Sequence, residues 1–172
     1  MTNLYSNTDK FNDDDDDISS DSENVLDQLT AIIAKKVTRP DIYINVPERS
    51  GVTILVSPNI TQQQIKAWQK NSGSETKNGL DAIKFACQVI GHCTRGIFLN
   101  GEEVLEAGKS VGFANPSILK MTGTTKALPD AVQKFFGLDP HLESAALAII
   151  DAAGYGDTVE QQENPTIPSS TN

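Results

Sequence analysis

Along the chain, apolar positions switch between two spacings, and each switch marks an element. Val25, Leu26, Leu29, Ile32 and Ile33 recur three and four residues apart, which is the stripe of an amphipathic helix. Ser22 can cap that helix. Asp21, Glu23 and Asp27 lie toward its N-terminal end and Lys35, Lys36 and Arg39 toward its C-terminal end, so each sign of charge suits the helix dipole. The pattern predicts a helix from Ser22 that Pro40 ends. Ile42, Ile44 and Val46, then Val52, Ile54 and Val56, alternate with period two around Pro47-Glu48-Arg49-Ser50-Gly51, which predicts a β-hairpin. Thr61 and Gln64 have capping-box spacing ahead of a short helix with Ile65 and Trp68 on one face. After the loop at residues 71–74, a second strong helix is predicted over residues 80–91. Leu80, Ile83, Cys87 and Ile90 form one stripe on it, Phe85 and Val89 another. Two stripes require burial on more than one side, so this helix is expected at the centre of the body.

Farther on, Asn100-Gly101 between Ile97-Phe98-Leu99 and Glu102-Glu103-Val104 predicts a second short hairpin, because both central residues of a type I′ turn need positive φ. Asn115-Pro116 and Asp139-Pro140 each set a capping side chain before a first-turn proline and predict two helix starts. In the last helix, Leu142, Ala145, Ala146, Ile149, Ile150 and Ala153 keep helical spacing until Gly154 stops it. Beyond Tyr155 the chain turns polar and proline-bearing without periodicity, and no internal repeat is present. The expected fold class is α+β, mainly helical: one small domain over residues 22–155 with about five helices and two short β-hairpins. Residues 1–21 are expected to be a disordered acidic segment and residues 156–172 a flexible tail.

Charge sharpens this division. The 172 residues carry a formal net charge of −9, yet residues 1–29 hold nine acids against Lys10 alone, a net of −8. Residues 30–150 sum to +3, and residues 151–172 add four acids and no base. The body is therefore mildly basic between two acidic ends. Asp13 to Asp17 repel one another and favour an extended, solvated chain. The whole-chain balance lacks the basic stripe of a nucleic-acid binder. No apolar run reaches the ~18–20 residues of a membrane span, and the start lacks a signal peptide's basic and apolar regions, so no membrane association and a cytosolic location are expected.

Candidate chemistry is sparse. Cys87, His92, Cys93 and His141 are the obvious metal ligands, but their spacing matches no paired-ligand pattern, and a cysteine on an apolar helix is usually a small core residue. Gly123-Thr124-Thr125-Lys126 lacks the first glycine of a phosphate loop. Glu102, Glu103 and Glu106 cluster after the Asn-Gly turn, where carboxylates most often solvate an exposed edge. No catalytic residue, cofactor or metal is expected. Trp68, Phe85, Phe135 and Phe136 are the aromatic candidates for a partner groove, and Trp68, Phe135 and Phe136 are retained as partner-binding residues.

Three blocks carry a resemblance: Ser57-Pro58-Asn59-Ile60-Thr61 leading into QQQIKAWQKNSG, then NGLDAIKFACQVIGHCTRGIFLNGEEV, then PDAVQKFFGLDPHLESAALAIIDAAGYGD. Across residues 40–157 the chain resembles the tail assembly chaperones of long-tailed phages, especially those infecting actinobacteria. The resemblance implies a non-enzymatic protein of the infected host's cytoplasm that binds the tape measure protein and keeps it soluble while tail tube subunits assemble around it. It further implies a longer form made by programmed ribosomal frameshifting that recruits tail tube protein, and absence from the finished virion. Self-association is a further partner expectation. A minor structural tail protein retained in the virion and an acidic regulatory or DNA-mimic binding protein are the rival readings.

Overall fold

The computed structural model describes residues 19–156, and these divide between Thr38 and Arg39 into two compact units. The expected folded segment, residues 22–155, spans parts of both. The expected acidic segment and tail lie outside the described residues, apart from Ser19, Ser20, Asp21 and Gly156.

The first unit contains one helix, α1 (Ser19–Ile33). It starts three residues before the expected cap, so Ser22 lies inside it, and it ends well before Pro40. Ala34 still donates to the Thr30 carbonyl at 2.9 Å, but the chain then leaves helical geometry, and Lys35, Lys36 and Arg39 fall beyond the helix rather than in its last turn. Val25, Leu26, Leu29, Ile32 and Ile33 are all exposed.

The second unit is an α+β body. Strands β1 (Ile42–Asn45) and β2 (Val52–Val56) form the expected hairpin, in register Ile44 opposite Ile54. The turn is closed by the Val46 N–H donating to the Val52 carbonyl, with Glu48 and Gly51 at positive φ. Two helices follow, α2 (Gln62–Asn71) and α3 (Ala82–Cys93), before the chain returns to the sheet as β3 (Thr94–Leu99) and β4 (Glu102–Glu103). The two hairpins foreseen separately are one antiparallel sheet in the order β1-β2-β3-β4. β3 starts directly after α3, three residues earlier than its apolar run suggested. Thr94, Gly96 and Ile97 are buried there, and a bulge at Leu55/Val56 adjusts β2 to it. Asn100 and Gly101 take φ of 52° and 84°, as the turn chemistry requires.

α2 has its capping box complete, the Thr61 side chain accepting from the Gln64 N–H and the Gln64 side chain accepting from the Thr61 N–H. α3 begins two residues later than expected: Asp81 is its cap, accepting from the Lys84 N–H at 3.0 Å, and Leu80 is left exposed outside it. Its central place holds, because Cys87, Val89 and Ile90 have no exposed surface.

A third hairpin, β5 (Leu105–Glu106) with β6 (Lys109–Ser110), was not foreseen. Its turn places Ala107, a residue that does not signal one, at φ 49° beside Gly108 at 75°. α4 (Pro116–Thr122) starts at the expected Asn115 cap, whose side chain accepts from the Ser117 N–H at 2.8 Å. A π-type turn (Ala127–Ala131) leads into the short α5 (Val132–Phe136), and α6 (Asp139–Ala152) closes the body. Asp139 is not the cap of α6. Leu138 holds that position, and Asp139 sits in the first turn with Oδ1 accepting from Gln133 Nε2 at 3.2 Å.

The core gathers Ile54 and Val56 of β2, Val89 and Ile90 of α3, Val132 and Phe136 of α5, and Leu142 and Ile149 of α6. Each such side chain contributes roughly 1.5–3 kcal/mol on burial. No helix among the described residues is long and apolar enough to cross a membrane.

Candidate functional site

Arg49 fixes the site. It sits in the β1–β2 turn and reaches across the body to the end of α5, donating from Nε to the Phe135 carbonyl at 3.1 Å and from Nη2 to the Lys134 carbonyl at 3.2 Å. Carbonyls at a helix C-terminus lack intrahelical donors, so a guanidinium there satisfies two orphan acceptors at once. Gly137, at φ 84°, ends α5, and a Cβ at that position would stand 3.3 Å from Arg49 Nη2. Glycine is therefore favoured twice, by the left-handed backbone and by the approach of the arginine.

Two cavities meet at Arg49 and Lys134. The smaller, about 460 Å³, is lined also by Val52, Met121, Thr122 and Phe135. The larger, about 690 Å³, continues over Gly123, Thr124 and Thr125 toward Asp130 and Asp139. Together they form a groove with an apolar floor at one end, two cations at its waist and a polar far end. Phe135 is half-buried, its ring edge-on to Phe113 with centroids 5.1 Å apart. Met121, 74% exposed, is available to whatever enters.

The three aromatics expected at a partner surface are thus separated by burial. Phe136 has no exposed surface, and Trp68, 5% exposed, stacks on His92 with centroids 5.4 Å apart. Both are core residues in this structure, and Phe135 alone borders the groove. Phe85 is half-buried against the core. Arg49, Lys134 and Met121 were missed. Arg49 carried no signal, because its partners lie more than eighty residues away in sequence.

The remaining candidates have structural surroundings. Cys87 and Cys93 are buried free thiols. Burial pushes Cys87 up to about 12, helped by the charges of Asp139 and Asp81, and raises Cys93 to about 11 against the opposing pull of Arg95. Both are protonated at neutral pH and poor nucleophiles. His92 pairs with Gln88 Oε1 at 3.2 Å, and His141 Nδ1 is buried without a hydrogen-bond partner among the described residues. No group of three or more histidine, cysteine or acidic side chains able to hold a metal occurs among the described residues.

The acidic cluster after the Asn-Gly turn is a tether. The Glu103 carboxylate accepts from Ser110 Oγ, and the Glu106 carboxylate accepts from Asn115 Nδ2 and Ser117 Oγ, joining β5 to the start of α4. The Ser117 hydroxyl, then the Asn115 amide, hold Glu106 below the ordinary carboxylate value. Gly123 ends α4 in the left-handed region, so residues 123–126 serve as a helix terminus and connecting loop. Compared with known proteins, the chain matches no protein-family model, no curated protein and no solved structure.

Proposed function

We propose that this protein is a tail assembly chaperone of a long-tailed phage, binding the tape measure protein in the host cytoplasm and keeping it soluble while tail tube subunits assemble around it. The observation that carries the reading is the groove at Arg49. Val52, Met121 and Phe135 form a short apolar floor, and Arg49 and Lys134 stand at its edge. An amphipathic helix lays its apolar face into such a floor and its acidic flank along the cations, the helix-in-groove mode of recognition. A tape measure is a long helical chain with apolar stripes and supplies many such segments. The three sequence blocks that resemble the chaperone family support the same reading. The protein acts by binding, without catalysis, and leaves before the virion is complete. A longer frameshifted form recruits the tail tube protein.

Co-expression with the neighbouring large tail protein followed by pulldown tests this. The expected result is a soluble complex that Met121→Asp weakens, since that exposed side chain can be charged without disturbing the core. Failure of the large protein to associate, or its equal capture by Met121→Asp, refutes the groove as the client site. Recovery of the chain from purified virions by mass spectrometry supports the structural-subunit alternative instead.

A further inference from the structure

The groove at Arg49 holds two cations and two carboxylates, and none of them is neutralised within the second unit's described residues. Arg49 and Lys134 line both of its cavities, and Asp130 and Asp139 line the larger one. The Arg49 guanidinium is held by neutral carbonyls, Nε on Phe135 and Nη2 on Lys134, which leaves Nη1 open. Asp139 is held by a neutral amide: its Oδ1 accepts from Gln133 Nε2, which leaves Oδ2 open. Lys134 and Asp130 are exposed, and neither forms an ion pair with a described residue. Ion pairs such as Lys70 with Glu75 and Lys84 with Asp81 lie elsewhere on the body. Two of the four charges are thus fixed in place and all four are open to a partner.

The charges are also ordered along the groove. Phe135 borders the apolar floor, Lys134 and Arg49 stand at the waist, and Asp130 and Asp139 face the far end. Lys134 and Asp130 are four residues apart, about one turn along the helical backbone that carries them. A complementary ligand therefore sets an apolar side chain on the floor, an acid one turn away against the cations, and a base one turn farther against the carboxylates. Positions i, i+4 and i+8 of an α-helix supply that row over about 12 Å. A simple anion does not fit, because the far-end carboxylates repel what the waist attracts. We propose that the Arg49 groove selects, among amphipathic helices, segments whose side chains run apolar, acidic and basic at successive turns. The proposal rests on the reading of this groove as a helix-binding site and specifies which segments of the client it takes. Arg49 and Asp139, already held by hydrogen bonds, lose little freedom when they meet the ligand, so they favour the matched order at low ordering cost.

Fluorescence anisotropy with labelled, alanine-rich helical peptides and the full chain tests this. One pair of peptides carries Leu, Glu and Lys at i, i+4 and i+8, written in the two chain directions; the control pair, of identical composition, carries Leu, Lys and Glu. One member of the first pair should bind about tenfold more tightly than either control, since each exposed ion pair is modest and two positions change from attraction to repulsion. Asp130→Asn with Asp139→Asn removes the far-end charges and should shrink that preference to about threefold, with the thermal unfolding of the variant confirming that the body is intact. Controls that bind equally well, peptides that do not bind at all, or a preference that survives the double variant in full each overturn the proposal. If the large tail protein is captured in the pulldown and the peptides are not discriminated, the charge order falls and the chaperone reading stands. If the peptides are discriminated and the large protein is not captured, the charge order stands and the chaperone reading falls.

Discussion

Gly91 lies inside α3, where alanine is ordinarily preferred by roughly 0.8–1 kcal/mol. At this position the preference is opposed. A Cβ on residue 91 would stand 2.2 Å from Leu128 Cδ2, 3.1 Å from its Cγ and 3.3 Å from its Cδ1, so the whole branched end of Leu128 has to move. Leu128 is half-buried against the core, and overpacking of this kind costs about 1–3 kcal/mol. Gly91→Ala is therefore expected to destabilise the body by about 1 kcal/mol net, a fall in Tm of ~3–5 °C for a domain of this size. With Leu128→Ala already present the obstruction is gone, and Gly91→Ala should then stabilise by ~0.5–1 kcal/mol. The two effects imply a coupling of about 2 kcal/mol in a double-mutant cycle, measured by urea and thermal unfolding of the four chains. Stabilisation by Gly91→Ala in the otherwise native chain, or a coupling near zero, would refute the reasoning. The contact matters beyond stability, because Leu128 lies in the turn that delivers α5, and α5 carries Lys134 and Phe135 to the groove.

Two other predictions concern titration. Glu106 is held below its ordinary value of 4.5 by Ser117 and Asn115, so the folded state favours its ionised form. Its stabilising contribution is fully present above that ordinary value and is lost as pH falls through the lower folded one. Carboxyl titration by NMR should find Glu106 below 4.5, and Glu106→Gln should flatten the acid limb of the Tm profile; a midpoint at or above 4.5 contradicts the tether. Cys87 and Cys93, buried and raised to about 12 and about 11, should resist a thiol reagent at pH 8 in the native protein and react fully once it is unfolded. Rapid native labelling would place them in a different environment.

Local signals were legible in the sequence where one or two residues decide the geometry. The Thr61–Gln64 box, the Asn115-Pro116 start and the Asn100-Gly101 turn all form as read. Boundaries failed where capping depended on a neighbour. Asp139 has the chemistry of a cap, but its carboxylate is taken by Gln133, and the helix starts from Leu138. The joining of two hairpins into one sheet was hidden because β2 and β3 are separated by two helices, and alternation says which face is buried without saying which strand lies alongside. Helical spacing located α1 but not its bounds, which are Ser19 and Ile33. Of the site, Phe135 was named for its side chain, whereas Arg49 acts through backbone carbonyls that no pattern of residue types encodes.

The staple made by Arg49 bears on when the protein can act. One wall of the groove is delivered by residue 49 and the other by residues 134 and 135, so the intervening helices and strands must all be made before the two walls can meet. A ribosome that has released only the first hundred residues displays the hairpin turn and nothing opposite it. The groove therefore forms only once α5 has been made, and a truncation that removes α5 abolishes it while leaving the four-stranded sheet encoded in full.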